Sequence, residues 1–295
     1  MMRLLILGGG GMLGHKLWQT AQARMETWAT VRTMTPALAA LGVVDDERTL
    51  AGVDVTRVGV LDHVLARVQP HVVVNCVGII KQLKEAKDPV TSIAINALHP
   101  HLLARACAAQ GSRLIHISTD CVFDGVTGGY REDDPTTATD LYGRTKAMGE
   151  VTGPGALTLR TSIIGRELSG TSGLVEWFLS RRGHAADGYT KAVFSGLTTA
   201  ELSQAILNVI EAHETLEGLY HVSAAPIDKY TLLTLLDRAY AAGVTLTPRD
   251  APVIDRGLDS GRFRHATGIV APGWEAMIEA MAADPTPYDA LRAAR

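Results

Sequence analysis

Tyr142 and Lys146 stand four residues apart in Asp140-Leu141-Tyr142-Gly143-Arg144-Thr145-Lys146, so on a helix they share one face. An ammonium beside a phenol stabilises the phenolate and lowers the tyrosine pKa, which makes Tyr142 a candidate general acid near neutral pH. Such pairs also arise by chance. This one gains weight from Ser118-Thr119, two hydroxyls that close the apolar run Ile115-His116-Ile117. Ligands of open α/β sheets bind at the carboxyl ends of strands, where Thr119 can hydrogen-bond a carbonyl oxygen and orient it for hydride attack. The bland alternative makes Ser118 and Thr119 turn residues and Asp120 a helix cap. Cys121 comes next, and no accompanying base motif marks it as a nucleophile.

A hydride needs a donor, and the other end of the chain offers a site for one. Gly8-Gly9-Gly10-Gly11-Met12-Leu13-Gly14 follows the apolar run 3–7 and precedes a helical pattern through Leu17. Gly8, Gly11 and Gly14, or Gly9, Gly11 and Gly14, supply a tight turn, a close backbone approach to a pyrophosphate and a helix packed tightly on its strand. The N-terminal amides of that helix, from Met12 and Leu13 on, favour phosphate. By itself a glycine loop is only a flexible turn. The strand before it and the helix after it make a dinucleotide site the stronger reading.

The second strand ends Ala29-Thr30-Val31-Arg32-Thr33, with no acid in 31–42 to bind a ribose 2′-hydroxyl. Arg32 can pair with a 2′-phosphate through its planar fork, or it is a solvated strand-end charge. The missing acid tips the choice toward NADP. Asp54-Val55 fits an adenine contact as well as Asp54 fits a helix cap.

The elements needed to position these groups alternate along the first half of the chain. Strands are expected at 3–7, 27–32, 53–55, 71–76, 113–118 and 156–160, with helical stripes at 58–68 and 89–110. The run Val72-Val73-Val74 reads as a strand buried on both faces, as helices on both sides of a parallel sheet require. Further on, a helix is expected at 198–210, a strand at 219–222 and a helix at 230–239, while the tail from Pro248 has no further βαβ rhythm. The fold class is therefore α/β: a Rossmann-type doubly wound parallel sheet, 1–160 completed by 197–222, with a smaller discontinuous substrate-binding lobe from 161–196 and 223–295.

The 295 residues are 46% hydrophobic and 20% charged, which excludes disordered and fibrous classes. With 28 Lys plus Arg against 31 Asp plus Glu, the net charge of −3 lacks the basic footprint of a nucleic-acid binder. Cys76, Cys107 and Cys121 are scattered, fitting a reducing cytoplasm better than a disulfide framework or a zinc cage. The first apolar run is too short for a signal peptide, and no segment approaches the roughly 20 apolar residues of a membrane span.

Together these motifs resemble the extended short-chain dehydrogenase/reductase superfamily and, within it, dTDP-4-dehydrorhamnose reductases and related nucleotide-sugar 4-reductases. The matching residues are Gly8, Gly11 and Gly14; Asn75-Cys76-Val77-Gly78; the segment from Ser118 to Gly125; Tyr142-Gly143, Thr145-Lys146 and Gly149-Glu150; Leu159-Arg160-Thr161-Ser162; and Leu258-Asp259-Ser260 with Arg262-Phe263. The resemblance implies a catalytic set of Thr119, Tyr142 and Lys146, with Tyr142 and Lys146 also at the nicotinamide ribose. It implies a cofactor site of Gly8, Gly11, Met12, Leu13, Gly14, Arg32, Asp54, Val55, Val77 and Gly78, taking NADPH or, second, NADH. Ser118, Thr119, Asp120 and Cys121 would meet a nucleotide-linked sugar, and Asn96 would support the lysine or lie on a helix surface.

The implied activity is reduction of a 4-keto-6-deoxyhexose at C4, in the cytoplasm, by a chain that binds neither nucleic acid nor membrane and for which a homodimer is admitted. Three positions depart from the pattern: Cys121 and Ile163 replace aromatics that line the family's sugar pocket, and Gly78-Ile79-Ile80-Lys81-Gln82 replaces a loop of small residues. A cofactor-recycling epimerase or dehydratase is a rival reading, as is a non-catalytic subunit like the regulatory one of methionine adenosyltransferase.

Overall fold

In Arg3–Leu7 (β1) every side chain from Leu4 onward is buried, and alternate residues go to opposite faces of the sheet. Leu4 and Ile6 join Leu13, Leu17 and Trp18 on one side; Leu5 and Leu7 join Leu61, Val64, Leu65 and Leu103 on the other. A strand apolar on both faces forces helices onto both faces, and the rest of the architecture follows. The computed structural model describes residues 1–82 and 84–293.

Six further strands complete the central sheet: β2 (Glu26–Val31), β3 (Thr49–Ala51), β4 (Val72–Asn75), β5 (Arg113–Thr119), β6 (Ala156–Thr161) and β7 (Gly218–His221). Their order is β7-β6-β5-β4-β1-β2-β3, with every pairing parallel. The winding reverses between β1 and β4, which opens a crevice at their carboxyl ends. Helix α1 (Met12–Ala21) covers one face; α2 (Val60–Val68) and α3 (His99–Gln110) cover the other. Helix α4 (Leu141–Met148) crosses the end of β5, and α5 (Thr199–Ala212) packs beside α1.

The expected third strand at 53–55 is corrected to Thr49–Ala51. Gly52 turns the chain at φ 77°, and the carboxylate of Asp54 then accepts from the amide and hydroxyl of Thr56, a local turn that competes with strand pairing. The stripe at 89–110 is one continuous rod, but its middle, Ile93–Leu98, is a π-helical turn that shifts the register before α3.

Beyond β6 the chain builds short pairings over the sheet's carboxyl edge. Ile163–Ile164 pairs with Leu197–Thr198, and Ala192–Phe194 lies between Ile227–Asp228 and Ile254–Asp255. Pro248 lies within a strand, Thr245–Arg249, paired with Ala185–Tyr189, so the tail does not begin as an irregular segment. Asp228 caps α6 (Lys229–Tyr240) by accepting from the Thr231 amide at 2.9 Å. The end of the chain returns to α1, where the Tyr288 hydroxyl meets His15 Nε2 at 2.9 Å and Asp284 pairs with Lys16.

Gly8 adopts φ 86°, and a Cβ added to Gly14 would fall 2.1 Å from the Gly8 carbonyl oxygen. Gly14→Ala is therefore expected to push α1 off β1 and lower stability by about 1–3 kcal/mol, measured by urea unfolding. An unchanged midpoint would contradict this packing.

Candidate active site

The glycine turn is fastened from below. Gly9 donates its amide to the Thr30 carbonyl at 2.8 Å, Gly8 donates to Thr30 Oγ1 at 3.3 Å, and Gly11 donates back to the Gly8 carbonyl at 3.0 Å. Helix α1 then begins with no side-chain cap and no acid in its first turn. Its first amides and the positive end of its dipole thus stay available to an anion. Across the crevice a Cβ on Gly8 would press within 3.1 Å of Val77 and 3.3 Å of the Cys76 carbonyl, so the two loops form a narrow cradle that side chains would fill. Arg32 is exposed just past the end of β2, and Asp54 sits in its own turn. These residues fit a dinucleotide carrying a 2′-phosphate.

The hydroxyl group of the site lies at the end of β5. Thr119 Oγ1 accepts from the Cys121 amide and donates to Asp120 Oδ1, both at 3.1 Å. Thr119 thus caps the short 3₁₀ turn Asp120–Val122, the role considered for Asp120. Asp120 itself is buried, which raises its pKa, while Arg256 from the small lobe pulls the other way.

Asp140 caps α4 by accepting from the Gly143 amide at 2.8 Å and so sets Tyr142 in the first turn. The phenol lies against the Thr119 hydroxyl and Cys121. One turn on, Lys146 is 5% exposed and donates from Nζ to the Ile117 carbonyl at 2.7 Å. Burial lowers its pKa to about 8, with Glu150 and Cys76 opposing.

The expected depression of the tyrosine by the lysine is corrected. Burial raises the Tyr142 pKa, and the Thr119 hydroxyl opposes it by stabilising the phenolate. Desolvation of the phenolate, with Cys121 and the carboxylates of Asp120 and Asp140 nearby, outweighs that hydrogen bond, and the Lys146 ammonium is committed to the Ile117 carbonyl. Tyr142 is therefore a proton holder at neutral pH.

Ser118, expected at the substrate, is turned away from it. It faces the opposite side of β5 from Thr119 and donates to Glu150 Oε1 at 2.7 Å. Glu150 also takes two 2.7 Å bonds from Arg160 Nε and Nη2, a fork that fixes the chain just after α4. Cys121 is half-buried, and burial pushes its thiol up to about 12. Asn96 lies buried in the π turn and clamps the loop after β4: its Oδ1 accepts from the Ile79 amide at 2.9 Å and its Nδ2 donates to the Ile79 carbonyl at 3.1 Å. It supports that loop; the direct partner of Lys146 is Ile117.

Two cations escaped sequence reasoning. Lys229, at the start of α6, is half-buried and faces Asp120 and Cys121, and Arg256 donates to the Phe123 carbonyl at 2.9 Å beside the same carboxylate. Neither belongs to a local motif; the small lobe brings both in. Lys81 approaches from the cofactor side and lies 3.9 Å from Asp140 Oδ2. The arrangement can hold a ketone oxygen between a phenol and a hydroxyl, with positive charge at the outer end for a phosphate-bearing substrate.

Residues 2–232 match the family described as RmlD substrate binding domain. The dTDP-4-dehydrorhamnose reductase of Mycolicibacterium smegmatis is 31% identical over 235 residues, covering 76% of this chain and 65% of that protein. The chain thus spans just under two thirds of that relative's length. Methionine adenosyltransferase 2 subunit beta of Mus musculus is 32% identical over 152 residues, 50% of this chain and 41% of that protein. Among solved structures, the dTDP-4-dehydrorhamnose reductase of Bacillus anthracis in complex with NADP superposes with a TM-score of 0.81 at 22% identity, covering 97% of this chain and all of that one. At that identity the likeness is one of fold.

The buried lysine carries a stability signature. Below about pH 8 Lys146 is charged in both the folded and unfolded states, and the cost of burying the charge is present in full. Between that value and the ordinary lysine range the unfolded chain alone holds the proton, so this contribution to stability rises with pH. Lys146→Met is expected to stabilise the ligand-free protein by about 1–3 kcal/mol at pH 7, a gain that shrinks toward pH 10. Thermal unfolding of both proteins across that range checks the sign.

Proposed function

The chain belongs to the RmlD substrate binding domain family, and from that membership and the site geometry we propose that it is an NADPH-dependent reductase of the dTDP-4-dehydrorhamnose reductase type. It reduces the C4 keto group of a nucleotide-linked 4-keto-6-deoxyhexose in surface-polysaccharide sugar biosynthesis. The observation that carries this reading is the meeting of two features at the carboxyl ends of the parallel strands on either side of β4: the glycine turn after β1, and the Thr119–Tyr142–Lys146 group around the end of β5.

Bound NADPH supplies the hydride. The turn from Gly8 to Gly14 and the first amides of α1, at Met12 and Leu13, hold its pyrophosphate, and Arg32 pairs with the 2′-phosphate. Val55, Val77 and Gly78 flank the adenine and nicotinamide ends, and Lys146 Nζ holds the nicotinamide ribose. Thr119 Oγ1 donates a hydrogen bond to the ketone oxygen, and Tyr142 Oη gives that oxygen its proton as the alcohol forms. Lys229 and Arg256 provide the charge to face a diphosphate. The cleft is complete within one chain, so the same chemistry is expected of a monomer or a homodimer. No helix among the described residues is long and apolar enough to cross a membrane, and a cytoplasmic site belongs to the same proposal.

The dehydratase reading needs a second acid or base where Cys121 stands, and a thiol held near 12 does not exchange protons at neutral pH. The purely regulatory reading leaves the phenol, hydroxyl and buried amine without a role.

Purified protein given NADPH and dTDP-4-keto-6-deoxyhexose, or its UDP counterpart, is expected to consume reduced nicotinamide stoichiometrically with substrate. Tyr142→Phe should lower kcat by about 10²–10⁴-fold with little change in NADPH affinity. Tight NADPH binding without oxidation by any nucleotide-linked 4-keto sugar would sink the proposal. Arg32→Ala should weaken NADPH binding at least about tenfold and leave NADH binding unchanged, read by fluorescence titration.

A further inference from the structure

His15 is fully buried in α1, one turn into the helix. A buried imidazole has lost its hydration and needs a partner for each ring nitrogen. Both are supplied. Nδ1 lies 2.8 Å from the Gly11 carbonyl oxygen, and Nε2 lies 2.9 Å from the hydroxyl of Tyr288. Burial lowers the pKa to about 4, so the ring is neutral and carries one proton. A carbonyl only accepts, which places that proton on Nδ1 and makes Nε2 the acceptor of the Tyr288 O–H.

The Gly11 carbonyl thus takes two hydrogen bonds, since it also accepts from the His15 amide at 3.0 Å. Its peptide has little else to hold it. Gly8-Gly9-Gly10-Gly11 is four residues without a Cβ, and no side chain caps the helix at Gly11. A peptide group is planar with its carbonyl and amide opposed. A carbonyl fixed along the helix therefore aims the next amide, that of Met12, out of the N-terminal end.

Tyr288 is itself held. It opens the short helix Tyr288–Ala293, and its ring lies against the Lys16 ammonium at 5.6 Å and the Arg166 guanidinium at 4.9 Å. Arg166 bonds Asp289 in the same helix at 2.5 Å. Arg292 donates to the carbonyls of Glu167 at 2.8 Å and Gly170 at 2.7 Å. From there the chain returns to α1: a Cβ on Gly173 would fall 2.6 Å from Met12 Cε.

We propose that His15 is a positioning residue for the cofactor: its Nδ1–H holds the Gly11–Met12 peptide in the orientation that receives a pyrophosphate, and Tyr288 fixes the ring. The inference rests on the reductase reading, in which that turn binds NADPH. The bond exists before the ligand arrives, so binding does not carry the entropy of ordering a glycine peptide. The last helix of the chain then serves the dinucleotide site from behind α1.

Amide side chains divide the two halves of the imidazole. Asn places an N–H where Nδ1 stands and leaves Tyr288 without an acceptor. Gln places an oxygen where Nε2 stands and leaves Gly11 without the donor. His15→Gln is therefore expected to weaken NADPH binding about tenfold by fluorescence titration, and His15→Asn to retain it within about twofold. The reverse ranking, or equal losses, would overturn the proposal. Tyr288→Phe should weaken binding by about threefold in the wild-type background and not at all in His15→Asn, where there is no ring to fix. Equal losses in the two backgrounds would remove Tyr288 from the role. The loss should follow the pyrophosphate: adenosine 2′-monophosphate, which has none, should bind every variant as it binds wild type, and in turnover the change should fall on KM for NADPH rather than kcat. Weakening of both ligands alike would mean a damaged fold and would overturn the assignment.

A further readout needs no ligand. In protein labelled with ¹⁵N-histidine, the resonances missing from His15→Asn identify His15, and they should show a neutral ring protonated at Nδ1. Protonation at Nε2 would overturn the proposal whatever the cofactor. Wild-type protein that carries the Nδ1–H ring yet binds no NADPH would overturn the reductase reading instead.

Discussion

The ammonium of Lys146 lies almost out of water, with the Ile117 carbonyl as its direct hydrogen-bond partner. Such a group is costly to bury, and the surrounding structure is arranged to keep it there. Its carbonyl partner belongs to a central strand that cannot shift without breaking pairings to β4 and β6. Its helix is held at one end by the Asp140 cap, and the chain just beyond its other end by the fork between Glu150 and Arg160, which also binds Ser118. Glu150 therefore acts on the site twice. It supplies a nearby negative charge that favours the ammonium, and it locks the segment that sets where the helix ends.

The cofactor cradle meets the same constraint from the other side of the crevice. The glycine turn sits against Cys76 and Val77, and the loop they begin is clamped at Ile79 by Asn96 from the π turn. The extra residue of that turn carries Asn96 inward in a helix otherwise designed to cover the sheet. At the back of α1, the end of the chain closes over the helix through Tyr288 on His15 and Asp284 on Lys16. The first helix, whose leading amides have no side-chain cap, is thus fixed by residues more than 260 positions away.

The proton chemistry follows from how far each group is removed from solvent. Burial raises the tyrosine and lowers the lysine, so the two values move apart and the ammonium becomes the stronger acid of the pair. The mismatch favours one direction only: a phenolate at Tyr142 is a far stronger base than the neutral amine of Lys146. Cys121 lies in the same pocket but is driven to about 12 and has no part in proton exchange.

The sheet strands, the glycine turn, the Tyr-Lys spacing and the threonine at a strand end were all legible in the sequence, because each rests on local periodicity or on residues near one another in the chain. β3 was misjudged by a few residues, since a turn built on Asp54 mimics the end of a strand. Ser118 and Thr119 looked equivalent in sequence, yet alternation along β5 sends one to Glu150 and the other to the cleft. Lys229, Arg256 and the contact of Tyr288 with His15 had no local signature. The amino-acid order by itself determined which groups could do chemistry, because backbone periodicity is a short-range property. Only the tertiary structure decided which of them lost water and faced one another, because desolvation and charge contact depend on segments that the chain brings together from far apart.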